Sequence, residues 1–221
     1  MIKIYFWKVP KHLVPWAIVR MAVDRISLWR LKEIRFWKLL GTGKGETFTP
    51  RDADPLRWGL LVVGSDQGIT QLENSKLLKR WQSKAMSEFS VELLPIAVNG
   101  QWSGANPFQE VPVASKSWEG PVVAITRARI KWRKNLIFWR SVPPVTSSLL
   151  SAPGLTAAIG IGEAPLGLQG TFSLWESSAA VKEFAYRGEA HKAVIAATLR
   201  ENWYAEELFA RFAVTKVRGE L

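Results

Sequence analysis

The chain has 221 residues, 48% apolar and 22% charged, with no Cys and only two His, His12 and His191, which is enough for one large domain or two small ones with cores of their own. Without cysteine there is no disulfide, thiolate zinc site, iron–sulfur cluster, Cys-ligated haem or Cys nucleophile, and two histidines rule out three-His zinc sites and multi-histidine di-iron boxes. The net charge of +11 is spread evenly, 16 basic and 10 acidic side chains in residues 1–110 against 14 and 9 in 111–221, so the positive field belongs to the folded body and not to a tail.

Ile2 to Val9 is β-rich and stops at Pro10. Pro15 opens a run in which Val19, Val23, Ile26 and Arg30 recur at helical spacing, with proline in the first turn where a missing N–H costs nothing. Arg35 to Leu40 reads as a strand ending at a glycine-rich loop, Gly41-Thr-Gly-Lys-Gly, and Trp58 to Val63 as an apolar strand closed by Gly64. Leu72 to Trp81 reads as helix, and Ser87 to Val98 as a strand in which Pro95 marks an edge or a bulge. The order β-α-β-β-α-β is the ferredoxin-like unit.

Asn99 to Gly120 is polar and turn-rich and reads as a linker. The pattern then starts again: a strand from Val122 to Trp132, a helical stretch from Leu136 to Leu150 broken at Pro143-Pro144, and strands Leu155 to Ile161 and Leu168 to Trp175. Helices follow at Ser178 to Tyr186 and His191 to Leu199, and Glu207 to Val217 carries a helical turn into a closing strand. The expected fold is therefore α+β, with two tandem ferredoxin-like halves, 1–110 and 111–221, packed as an intrachain version of the dimeric α+β barrel.

The start of the chain lacks the apolar run and cleavage site of a signal peptide, and the longest uncharged stretch, Ser141 to Gly162, is broken by prolines. The expectation is a cytoplasmic protein, with a basic surface suited to peripheral contact with an anionic membrane or to an acidic redox partner.

Three features carry chemistry. Gly41-Thr-Gly-Lys-Gly is no P-loop, because Lys44 is followed by Gly45 and no helix follows. Arg127, Arg129, Lys131 and Arg133 alternate with Ala128, Ile130 and Trp132, so a strand would gather four cations on one face. They form a solvated face, or they meet carboxylates such as a cofactor's propionates or an acidic partner. His191 shares a helix face with Val194, Ile195, Thr198 and Leu199. At the N-terminal end of that stripe the helix dipole disfavours imidazolium and keeps the ring neutral. A neutral imidazole in an apolar setting is what haem iron requires, and a packed helix-start histidine is the plainer alternative. The twelve Trp are either core or the wall of a large apolar pocket. Nucleic acid is not expected, since neither an RNA-binding aromatic signature nor a helix-turn-helix pattern is present.

The sequence resembles the spheroidene monooxygenase family through several long segments. They are Arg35 to Pro55 followed by Trp58, Asn106-Pro-Phe, Ile125-Thr-Arg-Ala, Phe138-Trp with Val142-Pro, Gly160 to Trp175, Phe184-Ala-Tyr with His191, and Trp203 to Phe212. The resemblance implies an oxygen-dependent oxidation of an acyclic carotenoid, hydroxylation proceeding to a ketone, with haem b as cofactor and O₂ and reduced ferredoxin as co-substrates. It implies His191 as axial iron ligand, and Phe138, Trp139, Phe184 and Trp203 as pocket walls. Arg127 and Arg129 become candidates for the propionates, and Arg187, Tyr204 and Tyr186 candidates for distal help with O–O cleavage, which a proximal histidine does not push as a thiolate does. The lipophilic substrate favours peripheral membrane contact, and homo-oligomerisation is compatible with the family. The competing reading keeps the fold as a haem carrier or apolar-ligand binder without oxygenase activity.

Overall fold

The computed structural model describes residues 1–44, 52–115, 117–131, 149–163, 170–187 and 204–221, with the backbone alone at 186 and 187. Eight strands pair antiparallel and close into a barrel: β1 Ile2–Lys8, β2 Ile34–Gly43, β3 Ala53–Gly64, β4 Ser87–Gly100, β5 Val122–Ile130, β6 Leu155–Gly162, β7 Gly170–Trp175 and β8 Tyr204–Gly219. Helices α1 Val14–Trp29, α2 Asp66–Asn74 and α3 Lys76–Lys84 belong to the first half, and α4 Ser178–Arg187 to the second. The barrel order is β1-β3-β2-β6-β7-β5-β8-β4, with β4 returning to β1. Read by half, this is β4-β1-β3-β2 and then β8-β5-β7-β6, the same ferredoxin-like order twice.

The two seams differ. β4 and β8 pair along most of their length, from Phe89↔Gly219 to Gly100↔Leu208. β2 and β6 meet only at Gly41↔Gly162, Thr42↔Ile161 and Gly43↔Gly160. The expected loop at Gly41 is thus partly strand: Gly41–Gly43 completes β2 and closes the barrel.

Period-two alternation sends one side of every strand into the barrel. Ile2, Ile4 and Phe6 of β1, Val123 and Ile125 of β5, Ile159 and Ile161 of β6, and Phe172 of β7 form one buried cluster across both halves. At its centre Phe6 and Phe172 meet edge to face at 5.2 Å, and Phe89 reaches Phe172 at 6.2 Å. Gly59 is required here, because a Cβ would lie 2.8 Å from the Phe6 ring.

The outer side of the first half is covered by its helices. Tyr5 stacks on Trp7 at 5.6 Å, Trp7 on Trp81 at 5.2 Å, and Trp16 meets Trp81 edge on at 4.9 Å. Asp24 of α1 is fully buried in this layer, accepting from Trp81 Nε1 at 2.8 Å and paired with Arg20 one turn away. Burial, followed by the charge of Glu73, pushes the Tyr5 hydroxyl far above its ordinary range. Most tryptophans among the described residues are core, with Trp7, Trp81, Trp102 and Trp175 fully enclosed.

Four expectations are corrected. Leu72–Trp81 is not one helix: Ser75 takes an extended conformation, ends α2 and caps α3 by accepting the Leu78 N–H. Asn99–Gly120 is not a linker, because Trp102, Phe108 and Val111 enter the barrel cluster and plug its end. Glu207–Val217 contains no helical turn, since β8 runs unbroken from Tyr204. In α1 the buried positions are Ala17, Asp24 and Leu28, whereas Val19, Val23 and Ile26 are exposed. The periodicity there marks an outward face. The helices expected at Leu136–Leu150 and His191–Leu199 lie outside the described residues, apart from a turn at Leu149–Leu150.

Candidate functional site

One end of the barrel gathers the functional candidates. The last residues of β4, β5 and β6, the first of β7 and β8 and the opening half of β2 meet there, beneath the plug of residues 101–111. Described parts of four segments that carry the family resemblance, around Lys38, Arg127, Glu163 and Glu206, therefore converge in space.

Arg127, on the inward side of β5, is 7% exposed. Its Nε and Nη2 donate to Glu163 Oε1 at 3.1 and 2.8 Å, and its Nη1 donates to Glu206 Oε1. The guanidinium lies 5.3 Å from the Trp102 ring centre, a cation–π contact. Glu163 also accepts from Trp102 Nε1 at 2.7 Å and from Lys38 Nζ at 2.7 Å. Glu206 receives two backbone donors, Ser103 N–H at 3.1 Å and Gly104 N–H at 2.6 Å. Both residues of that turn have left-handed backbone, φ 61° and 80°, which aims successive N–H groups at one carboxylate. The network ties β2, β5, the loop after β6, β8 and the plug together.

Burial would raise the Glu163 carboxyl, but the hydrogen bond and charge of Lys38 and the charge of Arg127 outweigh it and hold it below the ordinary range. Burial likewise acts on Glu206 and is outweighed by the Gly104 N–H, Arg127 and the Ser103 N–H. A lowered folded value contributes stability above the unfolded glutamate pKa, about 4.3, and that stability is lost as pH falls through the folded values. Thermal melting should therefore hold steady down to about pH 5 and drop steeply below about pH 4. A melting temperature unchanged at pH 3 would contradict this reading of the network.

The outer side of the second half differs sharply from that of the first. Rungs across β5, β7 and β6 read Ala124–Ser173–Ala158 and Thr126–Thr171–Gly160, and Gly160 continues to Gly43 of β2. The rung of the first half is Tyr5–Leu60–Leu39. Ala124, Ala158 and Thr171 are half-buried and Thr126 is exposed. The result is a shallow floor of small side chains, where larger ones would occupy the space a flat ligand needs. At one side Phe184 of α4 packs on Trp175 at 5.4 Å, and Trp175 Nε1 donates to Ser173 Oγ at 2.9 Å. A low floor of small side chains with an aromatic ring beside it suits a flat cofactor, and His191 lies outside the described residues.

Of the expected site residues, Phe184 stands beside the floor and Tyr204 opens β8, half-buried, paired across from Ile130. Arg127 faces the barrel end and is taken up by Glu163 and Glu206, while Arg129 is exposed with Nη2 3.8 Å from Glu206. Tyr186 and Arg187 lie in the last turn of α4. His191, Phe138, Trp139 and Trp203 lie outside the described residues. His12 sits in an exposed single turn before α1. Among the described residues no group of three or more His, Asp or Glu could hold a metal ion. Sequence reading missed Glu163, Glu206, Trp102 and Lys38. The available signal was a strand-borne arginine with two glutamates, each beside a segment carrying the resemblance.

These features define a tandem ferredoxin-like barrel of the dimeric α+β type. Its fold is similar to that of the aldoxime dehydratase OxdRE in complex with butyraldoxime, at 10% identity, TM-score 0.58, and 96% and 78% coverage of the two chains. A second aldoxime dehydratase is similar at 9% identity and TM-score 0.56, covering 97% and 81%. No family model matches the chain. In sequence it is 36% identical over 208 residues to spheroidene monooxygenase of Rhodobacter capsulatus, covering 93% of this chain and 86% of that one. The corresponding enzymes of Cereibacter sphaeroides and Rubrivivax gelatinosus are 33% and 34% identical, with 63% and 70% of their lengths covered. The chain belongs to the spheroidene monooxygenase family and is an oxidoreductase of that type.

Proposed function

We propose that this protein hydroxylates an acyclic carotenoid such as spheroidene and carries the same carbon on to a ketone, using haem b, O₂ and electrons from a ferredoxin-type donor. The observation that carries the reading is the 36% identity to a spheroidene monooxygenase over nearly the whole chain. The small-residue floor of β5, β7 and β6 supports it as a bed for a planar cofactor. Each turn inserts one oxygen atom into a C–H bond and releases the other as water, consuming two electrons and two protons. A second turn on the same carbon yields a hydrate that loses water to the ketone.

Bound haem supplies an iron centre at which O₂ is reductively activated. His191 would hold its iron. Phe184, with Phe138, Trp139 and Trp203, walls the pocket and keeps water from the reacting carbon, and Tyr186, Arg187 and Tyr204 supply protons and hydrogen bonds on the oxygen side. Arg127 positions the pocket by locking the barrel end, and Arg129 is an exposed cation for a propionate or an acidic electron donor. Residues 1–110 and 111–221 act as two halves, the second carrying the haem ligand.

The substrate is held in lipid, and α1 offers a surface for reaching it. Ile18, Val19, Val23 and Ile26 are exposed along this helix and Trp29 is 80% exposed, with Lys11, Arg25, Arg30 and Lys32 nearby in sequence. An apolar face bordered by cations is the composition of a helix lying in an anionic interface. Among the described residues no helix is long and apolar enough to cross a membrane.

The test supplies haem-loaded protein with spheroidene in anionic liposomes, O₂ and reduced ferredoxin. Hydroxylated and then keto product should form, and Trp29→Asp should lower the liposome-bound fraction severalfold. Haem-loaded protein that gives no oxygenated product would favour a haem carrier or ligand binder, and unchanged liposome binding would remove α1 from the account.

A further inference from the structure

A groove of about 700 Å³ lies between α1 and the β2–β3 edge of the barrel, lined by Ile18, Met21, Ala22, Gly41, Pro55 and Trp58. Its volume is that of a small-molecule site, roughly 300–1,000 Å³. The polar groups that reach it are largely engaged with the protein. Thr42 Oγ1 donates to Arg57 O at 2.8 Å, Asp54 accepts the Leu56 N–H at 3.0 Å, and Trp58 Nε1 donates to Pro55 O at 2.9 Å. Glu163, which also borders the groove, is held by Lys38, Trp102 and Arg127. Arg25 adds a cation at the exposed rim, and the rest of what the groove presents to a ligand is mainly hydrocarbon and one indole.

Its position is as informative as its lining. Gly41, in the groove, pairs with Gly162 of β6, and the next outward rung is Gly43 and Gly160, which runs into Thr171 and Thr126 of the small-residue floor. Gly43, Gly160 and Gly162 are buried and Gly41 is half-buried, so the groove ends where the glycine seam begins. On its other side the groove opens beside Ile18 and Ala22, both exposed on the apolar face of α1. A long, thin, apolar molecule could leave lipid at α1 and lie in the groove with its end at Gly41.

We infer that this groove holds the hydrocarbon chain of a polyene substrate, with one end of the chain seated at Gly41, where β2 meets β6. The assignment rests on the carotenoid reading above. It gives α1 two roles on adjacent faces, lipid contact outside and chain binding inside.

The test measures spheroidene binding by its visible absorption on transfer from detergent micelles to haem-loaded protein, which does not depend on turnover. Ala22→Trp, at an exposed position, should fill the groove and weaken binding at least tenfold while haem uptake stays unchanged. A photo-crosslinking residue placed at Ala22 should label with spheroidene, and one at Lys79, exposed on α3, should not. Equal affinity in wild type and Ala22→Trp, or labelling confined to position 79, overturns the groove while leaving the carotenoid reading intact. Wild-type protein that takes up haem yet binds no spheroidene overturns both.

Discussion

Expressed with haem supplied, the wild-type chain should show a Soret band and His191→Ala should lose it, whereas His12→Ala should keep it. The chain contains no cysteine, and its only other histidine sits in an exposed turn ahead of α1, away from any apolar face. Outer-sphere partners of metal-bound histidines are typically worth 10–100-fold in affinity, so loss of the ligand itself should cost at least about 100-fold. A His191→Gly variant should regain the band when imidazole is added, which separates a missing ligand from a misfolded pocket. An unchanged band in His191→Ala would remove this residue from the iron, and with it the derivation from a neutral imidazole on an apolar helix face.

The second large effect concerns stability. Arg127→Ala should destabilise the fold by about 3–5 kcal/mol, the usual cost of leaving a buried charge without its partner. For a chain of this size each kcal/mol moves the melting temperature by roughly 2–4 °C, so a fall of about 10 °C is expected. The reason lies in what remains: Glu206 keeps its burial but loses its guanidinium, while Glu163 is left with Lys38. Replacing the pair together, Arg127→Met with Glu206→Gln, should recover much of the loss, because Glu163 and Lys38 still neutralise each other and no uncompensated charge is left. A single-variant loss below about 1 kcal/mol, in the range of an exposed ion pair, would show that water enters the barrel end and compensates the carboxylates.

The plug makes these two results separable. Trp102 donates to Glu163 and lies against Arg127, so weakening the network loosens the segment that closes the barrel. Haem affinity at low temperature should survive Arg127→Ala and fail in His191→Ala.

Much of the fold was legible locally. β1, β6 and β7 alternate or run apolar between proline and glycine stops, and the structure finds them close to the expected bounds, whereas β3 begins at Ala53 and runs through Pro55 before the expected Trp58–Val63. Pro95 was readable as a bulge, and the β4–β8 register does shift there. The site was less legible. The alternation of Arg127 and Arg129 showed that they share a face, but not that one would be buried and shared by two glutamates while the other stays exposed. Trp102 and Phe108 sit in a stretch of turn residues, so their burial carried no periodic signal at all.

By itself the sequence determined the α+β class, the β-α-β-β-α-β order of the first half with the strands of a second like it, and the family, because period-two and helical spacing, turn residues and long shared segments are properties of consecutive residues. Tertiary structure alone decided the closure through two unequal seams, the direction in which α1 turns its apolar stripe, and the contrast between the bulky and small outer faces. Those depend on which strand lies beside which. A stripe of Val and Ile has the same period whether it meets a sheet, a membrane or water, and a row of Ala, Thr and Gly becomes a floor only when three strands bring their rows together.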